Sequence, residues 1–389
     1  MTSTPPDRTP YAPYAAARSA RPVQEVPDRS GRAPSILVTG DTEAREALTC
    51  PALSKDTAAF FADRPSRRNL HPAVAQTMLA SDPPAHTRLR RLITTAFTPA
   101  ATECLRPFVE NLTATLIDSF ADQDEADLVS ALAVPLPVAV ISELLGIPRS
   151  DRDQVRAWSA DLFAAGDDTV IDAASHHIAG YVESLVRDKR RTPGDDLVTQ
   201  LIAVRDGTDQ LSDEELVSLA VLLIVAGHET TTNAIGNSVL ALLLNPPVLE
   251  QLRARPEQIA EAVPELLRFD SPVAMSTFRY ATEPVELGGV PIPAGAPVLI
   301  ALGATNRDPR RYPDPDTLRL DRTDGTSLAF GHGIHRCLGA PLATLELGIA
   351  LTALLTRFPE LTLAVPEQEL EWRRTRLVRG LARLPVRLR

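Results

Sequence analysis

At 389 residues with 44% apolar content the chain can bury a sizeable core, but aromatics are only 4%, so that core must be built mainly from Leu, Val, Ile and Ala. Forty basic against 50 acidic residues leave a net charge of −10. That argues against nucleic acid as a bulk partner and makes any basic patch a local one. The three widely spaced cysteines, Cys50, Cys104 and Cys337, exclude a disulfide framework and suit a reducing cytoplasm.

Residues 1–32 are polar and rich in Pro, Arg and Ala, with no apolar signal-peptide segment, and residues 1–20 are expected to be flexible. Residues 23–26 and 36–38 read as a hairpin around a turn containing Asp28 and Gly31. From His86 to about Leu267 the pattern is mainly helical, broken at Pro99, Pro148, Pro193-Gly194 and Pro246-Pro247. One helix stands out in this span. Ser212 and Glu215 form a capping box at its start, and no proline follows until Pro246, so roughly 33 residues, about 50 Å, can be continuous. Residues 216–226 are largely apolar all round, as in a helix through the centre of a large domain. The strongly apolar run 219–226 is too short to span a bilayer.

Gly227-His228-Glu229-Thr230-Thr231-Thr232-Asn233 then interrupts that helix with poor helix formers and a carboxylate that is costly to bury without a partner. Function explains such a run better than packing does; the alternative is that Gly227 caps a shorter helix. Further on, residues 285–300 carry glycines and prolines among β-branched residues and read as strands and turns. Residues 342–358 are helical again, and residues 361–388 alternate as strand and loop. The fold class is therefore mainly α with small β-sheets at one edge.

Residues 330–339, Phe-Gly-His-Gly-Ile-His-Arg-Cys-Leu-Gly, isolate Cys337 in a glycine-rich, locally basic loop that runs into an apolar helix. Nearby cations, free amides and a helix N-terminus all favour a thiolate. A thiolate so held is suited to be an axial haem ligand. Two other readings remain open on the residues alone: a small buried hydrophobe, or a zinc site of His332, His335 and Cys337 that lacks a fourth ligand. A covalent c-type haem would need CxxCH, which the loop does not have.

Taken together these stretches resemble the cytochrome P-450 family of haem-thiolate monooxygenases. Ala226-Gly227-His228-Glu229-Thr230-Thr231 looks like that family's oxygen-binding stretch, Glu265-Leu266-Leu267-Arg268 its Glu-x-x-Arg signature, and residues 330–339 its cysteine loop. His86 and Arg90 match the His-x-x-x-Arg pair that holds haem propionates. Arg279 and His335 sit where further propionate partners are expected, and Asn306-Arg307-Asp308-Pro309 looks bacterial. Two departures are visible. Pro264 precedes Glu265, which suggests that this helix starts late or is kinked. Leu318-Arg319 replaces a more usual aromatic–acid pair, which puts in doubt whether Arg322 joins Glu265 and Arg268 in a buried charge cluster.

The resemblance covers residues 20–388 and implies one catalytic domain, residues 21–389, with the long central helix over haem b. Cys337 is the implied iron ligand, with Phe330 and Gly339 beside it. His86, Arg90, Arg279 and His335 are the implied propionate partners, and Ala226 and Gly227 give the cofactor and oxygen room against the helix. Glu229 and Thr230 are the implied proton-delivering pair, while Glu265 and Arg268 are a structural pair. Val225, Ala226, Val273, Ala274 and Met275 would line an apolar substrate pocket, with residues 64–79 and 160–181 as its adjustable lid. The implied activity is insertion of one atom of O₂ into a small apolar molecule, a macrolide or other polyketide, by hydroxylation or epoxidation. The chain has no flavin or nicotinamide fingerprint, so electrons must come from a ferredoxin and its reductase, and Arg88, Arg91 and Arg336 could form the basic patch for docking them. A cytoplasmic monomer with no membrane or nucleic-acid partner is expected. The rival function is a haem-thiolate ligand-binding or sensor protein without turnover.

Overall fold

The computed structural model describes residues 11–27, 34–62, 68–163, 167–203, 205–206, 209–373, 375 and 377–389. They form two compact units: Met1–Ser54, Pro107–Ala133 and Thr230–Arg389 make one, and Lys55–Arg106 with Val134–Glu229 make the other.

A five-stranded sheet anchors the first unit. Val23–Val26 pairs antiparallel with Ser35–Val38 in the register Val23↔Val38. This is the expected hairpin, whose turn at Asp28 and Gly31 lies outside the described residues. Ser35–Val38 runs parallel to Pro297–Ile300, which is antiparallel to Arg279–Ala281, and Leu53–Ser54 completes the sheet. Ile36, Val38, Leu53, Ala281, Val298 and Ile300 are all buried in one core cluster, which gives the sheet its apolar face.

Residues 12–20, expected to be flexible, form the helix Ala12–Ala20. Its anchors are remote in sequence: Tyr11 donates to Asp270 Oδ1 at 2.8 Å, and Arg18 donates to the carbonyls of Ala304 and Arg307, each at 2.9 Å. Residues 1–10 lie outside the described residues.

The helix Ile259–Phe269 carries the Glu-x-x-Arg signature and begins five residues before Pro264, so the proline does not delay its start. The missing N–H only forgoes one backbone bond. Arg268, 2% exposed, grips Glu265 through two bonds of 2.6 and 2.8 Å and also donates to the carbonyls of Asn306 and Pro315. Arg322 does join the cluster, its Nε 3.1 Å from Glu265 Oε1, and the backbone N–H of Arg319 donates to the same oxygen at 3.0 Å. The backbone amide of residue 319 makes that bond whatever its side chain, so the change of residue type there is harmless. Arg268→Ala leaves a buried carboxylate short of its main partner and is expected to cost roughly 3–5 kcal/mol, read as a lowered unfolding midpoint.

Ala340–Arg357 packs against Ile259–Phe269. On it Glu346 is 2% exposed, and burial pushes its carboxyl up from 4.5 to about 8. The native protein therefore holds a proton there that the unfolded chain releases, so stability falls as pH rises from about 4.5 through 8. Glu346→Gln is expected to flatten that slope in pH-dependent thermal melts.

In the second unit Pro135–Leu145 packs against Arg152–Asp161, which packs against Asp168–Arg191, and Ile141 of the first of these meets Gly227 of the central helix. The central helix itself is unbroken over Asp213–Leu243, 31 residues, which removes the reading that Gly227 ends it. Its capping box forms as expected: Ser212 N–H donates to Glu215 Oε2 at 2.9 Å, and Glu215 N–H to Ser212 Oγ at 3.2 Å. By length and composition Asp213–Leu243 and Ala340–Arg357 could cross a membrane, but 61% and 56% of their most apolar windows are buried within the protein.

Candidate active site

The cysteine loop lies in the first unit. Gly331 and Gly333 adopt φ of +70° and +74°, which L side chains rarely take up, and a Cβ at Gly333 would stand 2.9 Å from the Leu48 carbonyl oxygen. The loop closes through the Cys337 N–H donating to the Phe330 carbonyl at 2.8 Å, and Ala340–Arg357 starts three residues later with Gly339 as its N-cap. Cys337 is exposed, and Phe330, His335 and Gly339 are half-buried around it. A sulfur three residues ahead of a helix N-terminus fits one axial bond to a metal centre. Among the described residues no group of three or more His, Cys, Asp or Glu could hold a metal ion, so the zinc reading has no geometry behind it.

Arg279, on its strand, is 4% exposed and donates Nη1–H to the Leu53 carbonyl at 3.2 Å. In the second unit His86 and Arg90 stand one turn apart on the helix Ala85–Thr94. His86 is 2% exposed, and burial first, then the Arg90 and Lys55 charges, hold its imidazole pKa below the usual value. Arg90 is half-buried in the second unit, and either arginine can offer a forked, charge-assisted donor to an anionic group. Arg88 is committed elsewhere: it forms an ion pair with Glu215 and is half-buried, whereas Arg91 and Arg336 are exposed.

Along the central helix Ala226 is exposed and Val225 and Thr230 are half-buried, whereas Ile224, His228 and Glu229 are buried. Ala226 and Thr230, four apart, share one face of the helix. Gly227 also has a packing role. A Cβ there would lie 2.9 Å from Ile141 Cδ1 and Cγ1, so the glycine is required for close packing against Pro135–Leu145.

Of the three pocket residues after the Glu-x-x-Arg helix, Val273 packs against the sheet core and Met275 against Leu37, Ala301 and Ala304, with Ala274 half-buried between them. All three are held by the C-terminal segment, which the sequence suggests only as strand and loop. Val273 bridges to Val378, and the N–H groups of Ala274 and Met275 donate to the Leu377 carbonyl at 2.9 and 3.3 Å. That segment also meets the central helix, where a Cβ on Gly380 would fall 1.9 Å from Asn233 Oδ1 and 2.9 Å from Asn233 Cβ. A lone glycine between Arg379 and Leu381 was the available signal. Because the Asn233 Cβ cannot move without the helix, Gly380→Ala is expected to cost about 1–3 kcal/mol and to appear in thermal unfolding of the holoenzyme.

Parts of the expected lid are zipped together in the second unit. Arg68 pairs with Asp168 and Asp172, each at 3.0 Å, and Asn69 N–H donates to Asp172 Oδ2 at 2.8 Å. His71 N–H donates to Ser175 Oγ, and His176 Nε2 meets the Asn69 carbonyl. Residues 64–67 and 164–166 of that lid lie outside the described residues.

A family model described as Cytochrome P-450 matches residues 138–378. The chain is 43% identical over 385 residues to the cytochrome P-450 monooxygenase PikC of Streptomyces venezuelae, covering 98% of this chain and 91% of that one. It is 40% identical over 389 residues to the 6-deoxyerythronolide B hydroxylase of Saccharopolyspora erythraea, covering 97% and 96%. The solved structure of the tirandamycin C-bound monooxygenase TamI superimposes with a TM-score of 0.90 at 44% identity, covering 98% of this chain and 97% of that one.

Proposed function

The chain belongs to the cytochrome P-450 family, and from that premise we propose that it oxidises a macrolide or related polyketide by hydroxylation or epoxidation. The activity itself is that of a haem-thiolate monooxygenase: one atom of O₂ enters a small apolar substrate, the other leaves as water, and two electrons arrive from separate redox proteins. The observation that carries the substrate class is the similarity, over nearly the whole chain, to an enzyme named for 6-deoxyerythronolide B and to a monooxygenase solved with tirandamycin C bound.

Haem b, when bound through a thiolate, supplies the oxygen activation. In this proposal Cys337 supplies the thiolate, and Phe330 limits water beside it. His86, Arg90, Arg279 and His335 hold the two propionates by charge-assisted hydrogen bonds. Ala226, exposed on the central helix, leaves the cofactor face clear, and the substrate lies against Val225, Ala226 and Ala274. Glu229 and Thr230 deliver protons: the carboxyl takes them from solvent and the hydroxyl passes them on. Glu265 and Arg268 keep the surrounding fold fixed. The whole of residues 21–389 acts as one catalytic domain, a cytoplasmic monomer. It is reduced by a ferredoxin with its reductase, for which the exposed Arg91 and Arg336 offer local positive charge.

The test is a titration of the ferric holoenzyme with macrolactones, 6-deoxyerythronolide B among them, followed by turnover under ¹⁸O₂ with surrogate redox proteins. The expected result is a spin-state shift and a product carrying one labelled oxygen. Binding of long-chain fatty acids with no response to any macrolactone would overturn the substrate class.

A further inference from the structure

His228 took no part in the roles assigned above, yet it is 3% exposed and held in one orientation. Its Nδ1 lies 2.9 Å from the Ile224 carbonyl oxygen, one turn back on the central helix. A carbonyl can only accept, so Nδ1 carries the hydrogen. Nε2 lies 3.8 Å from Glu229 Oε1, with both side chains buried. Consecutive residues on a helix do not face each other. Contact between residues 228 and 229 therefore requires the imidazole to be turned, and the Nδ1 anchor turns it.

We propose that His228 is a positioning residue for Glu229: its Nδ1–H, anchored on the Ile224 carbonyl, aims Nε2 at the Glu229 carboxyl and holds that group ready to hand on protons. The inference rests on the reading of Glu229 as a proton donor. At 3.8 Å the contact is longer than a direct hydrogen bond, so it acts through charge or through one bridging water. Glu229, having passed its proton on, is left a buried carboxylate; Nε2 faces it and hands on a proton drawn from solvent, so the buried charge keeps a partner until the carboxyl is reprotonated.

The test uses the haem-loaded full chain and two readouts. The first is ¹⁵N NMR of histidine-labelled protein in the reduced, CO-bound state. His228 is expected as the Nδ1–H tautomer, with its Nε2 resonance displaced by Glu229→Gln. An Nε2–H tautomer, or an Nε2 signal unmoved by that change, overturns the proposal.

The second readout is guaiacol oxidation driven by hydrogen peroxide, which needs proton transfer but no physiological substrate. His228→Gln keeps a polar group near the Nε2 position, whereas His228→Asn keeps one only near Nδ1. His228→Gln is expected to stay within about threefold of the parent kcat. His228→Asn and His228→Leu should fall about tenfold or more with KM for peroxide unchanged, a part of the range for positioned proton transfer. A residue that merely fills space predicts no split between Gln and Asn. Parent-like rates in His228→Leu alongside a slow Glu229→Gln overturn the role of His228 alone. Parent-like rates in Glu229→Gln remove the proton-donor reading beneath it.

Discussion

Cys337→Ala is expected to abolish the thiolate signature in the reduced, CO-bound absorption spectrum while leaving a folded protein. The side chain is exposed at its loop, so little apolar burial is lost with it. The loop is shaped by Gly331, Gly333 and the Cys337 N–H bond to Phe330, none of which needs the sulfur. No other cysteine can substitute. Cys50 packs against the sheet core, and Cys104 is exposed on a different unit, its Sγ 3.4 Å from the Ala100 carbonyl. Cys50→Ser and Cys104→Ser should therefore keep the spectrum. A thiolate-type spectrum in Cys337→Ala would mean that another residue ligates the iron.

What the sequence revealed follows from how local each signal is. The capping box at Ser212 and Glu215, the helix it opens and the cysteine loop are set by residues a few positions apart, and all three are present in the structure. Long-range partners left no such trace. Ala12–Ala20 looked unstructured because the groups that order it, Asp270 and the carbonyls of Ala304 and Arg307, lie some 260 to 290 positions away. Arg322 joins Glu265 through a contact that residue types around it did not require. Gly227 was visible as a functional glycine, yet the atoms it accommodates belong to Ile141. His228 shows the same limit at finer scale: its neighbour in the chain is its neighbour in space only because of one bond to the Ile224 carbonyl.

Thr230→Ala sets a functional and a structural forecast against each other. As a helix residue alone, threonine is inferior to alanine, so the variant should be slightly more stable and fully active. As a proton-delivering group it is not replaceable by a methyl. Thr230 is half-buried on the same helix face as the exposed Ala226, next in the chain to the buried Glu229. The variant should then retain haem and substrate binding but spend much of its electron supply on hydrogen peroxide. Productive rate should fall by about 10²–10⁴-fold at most, the range for one positioned proton transfer. Product and peroxide are both measured per electron donor consumed, in Thr230→Ala and in Thr230→Ser, which restores the hydroxyl. Recovery of coupling in the serine variant assigns the effect to the hydroxyl rather than to side-chain volume. Parent-like coupling in the alanine variant would show that the proton travels by another donor, such as an ordered water or a hydroxyl on the substrate.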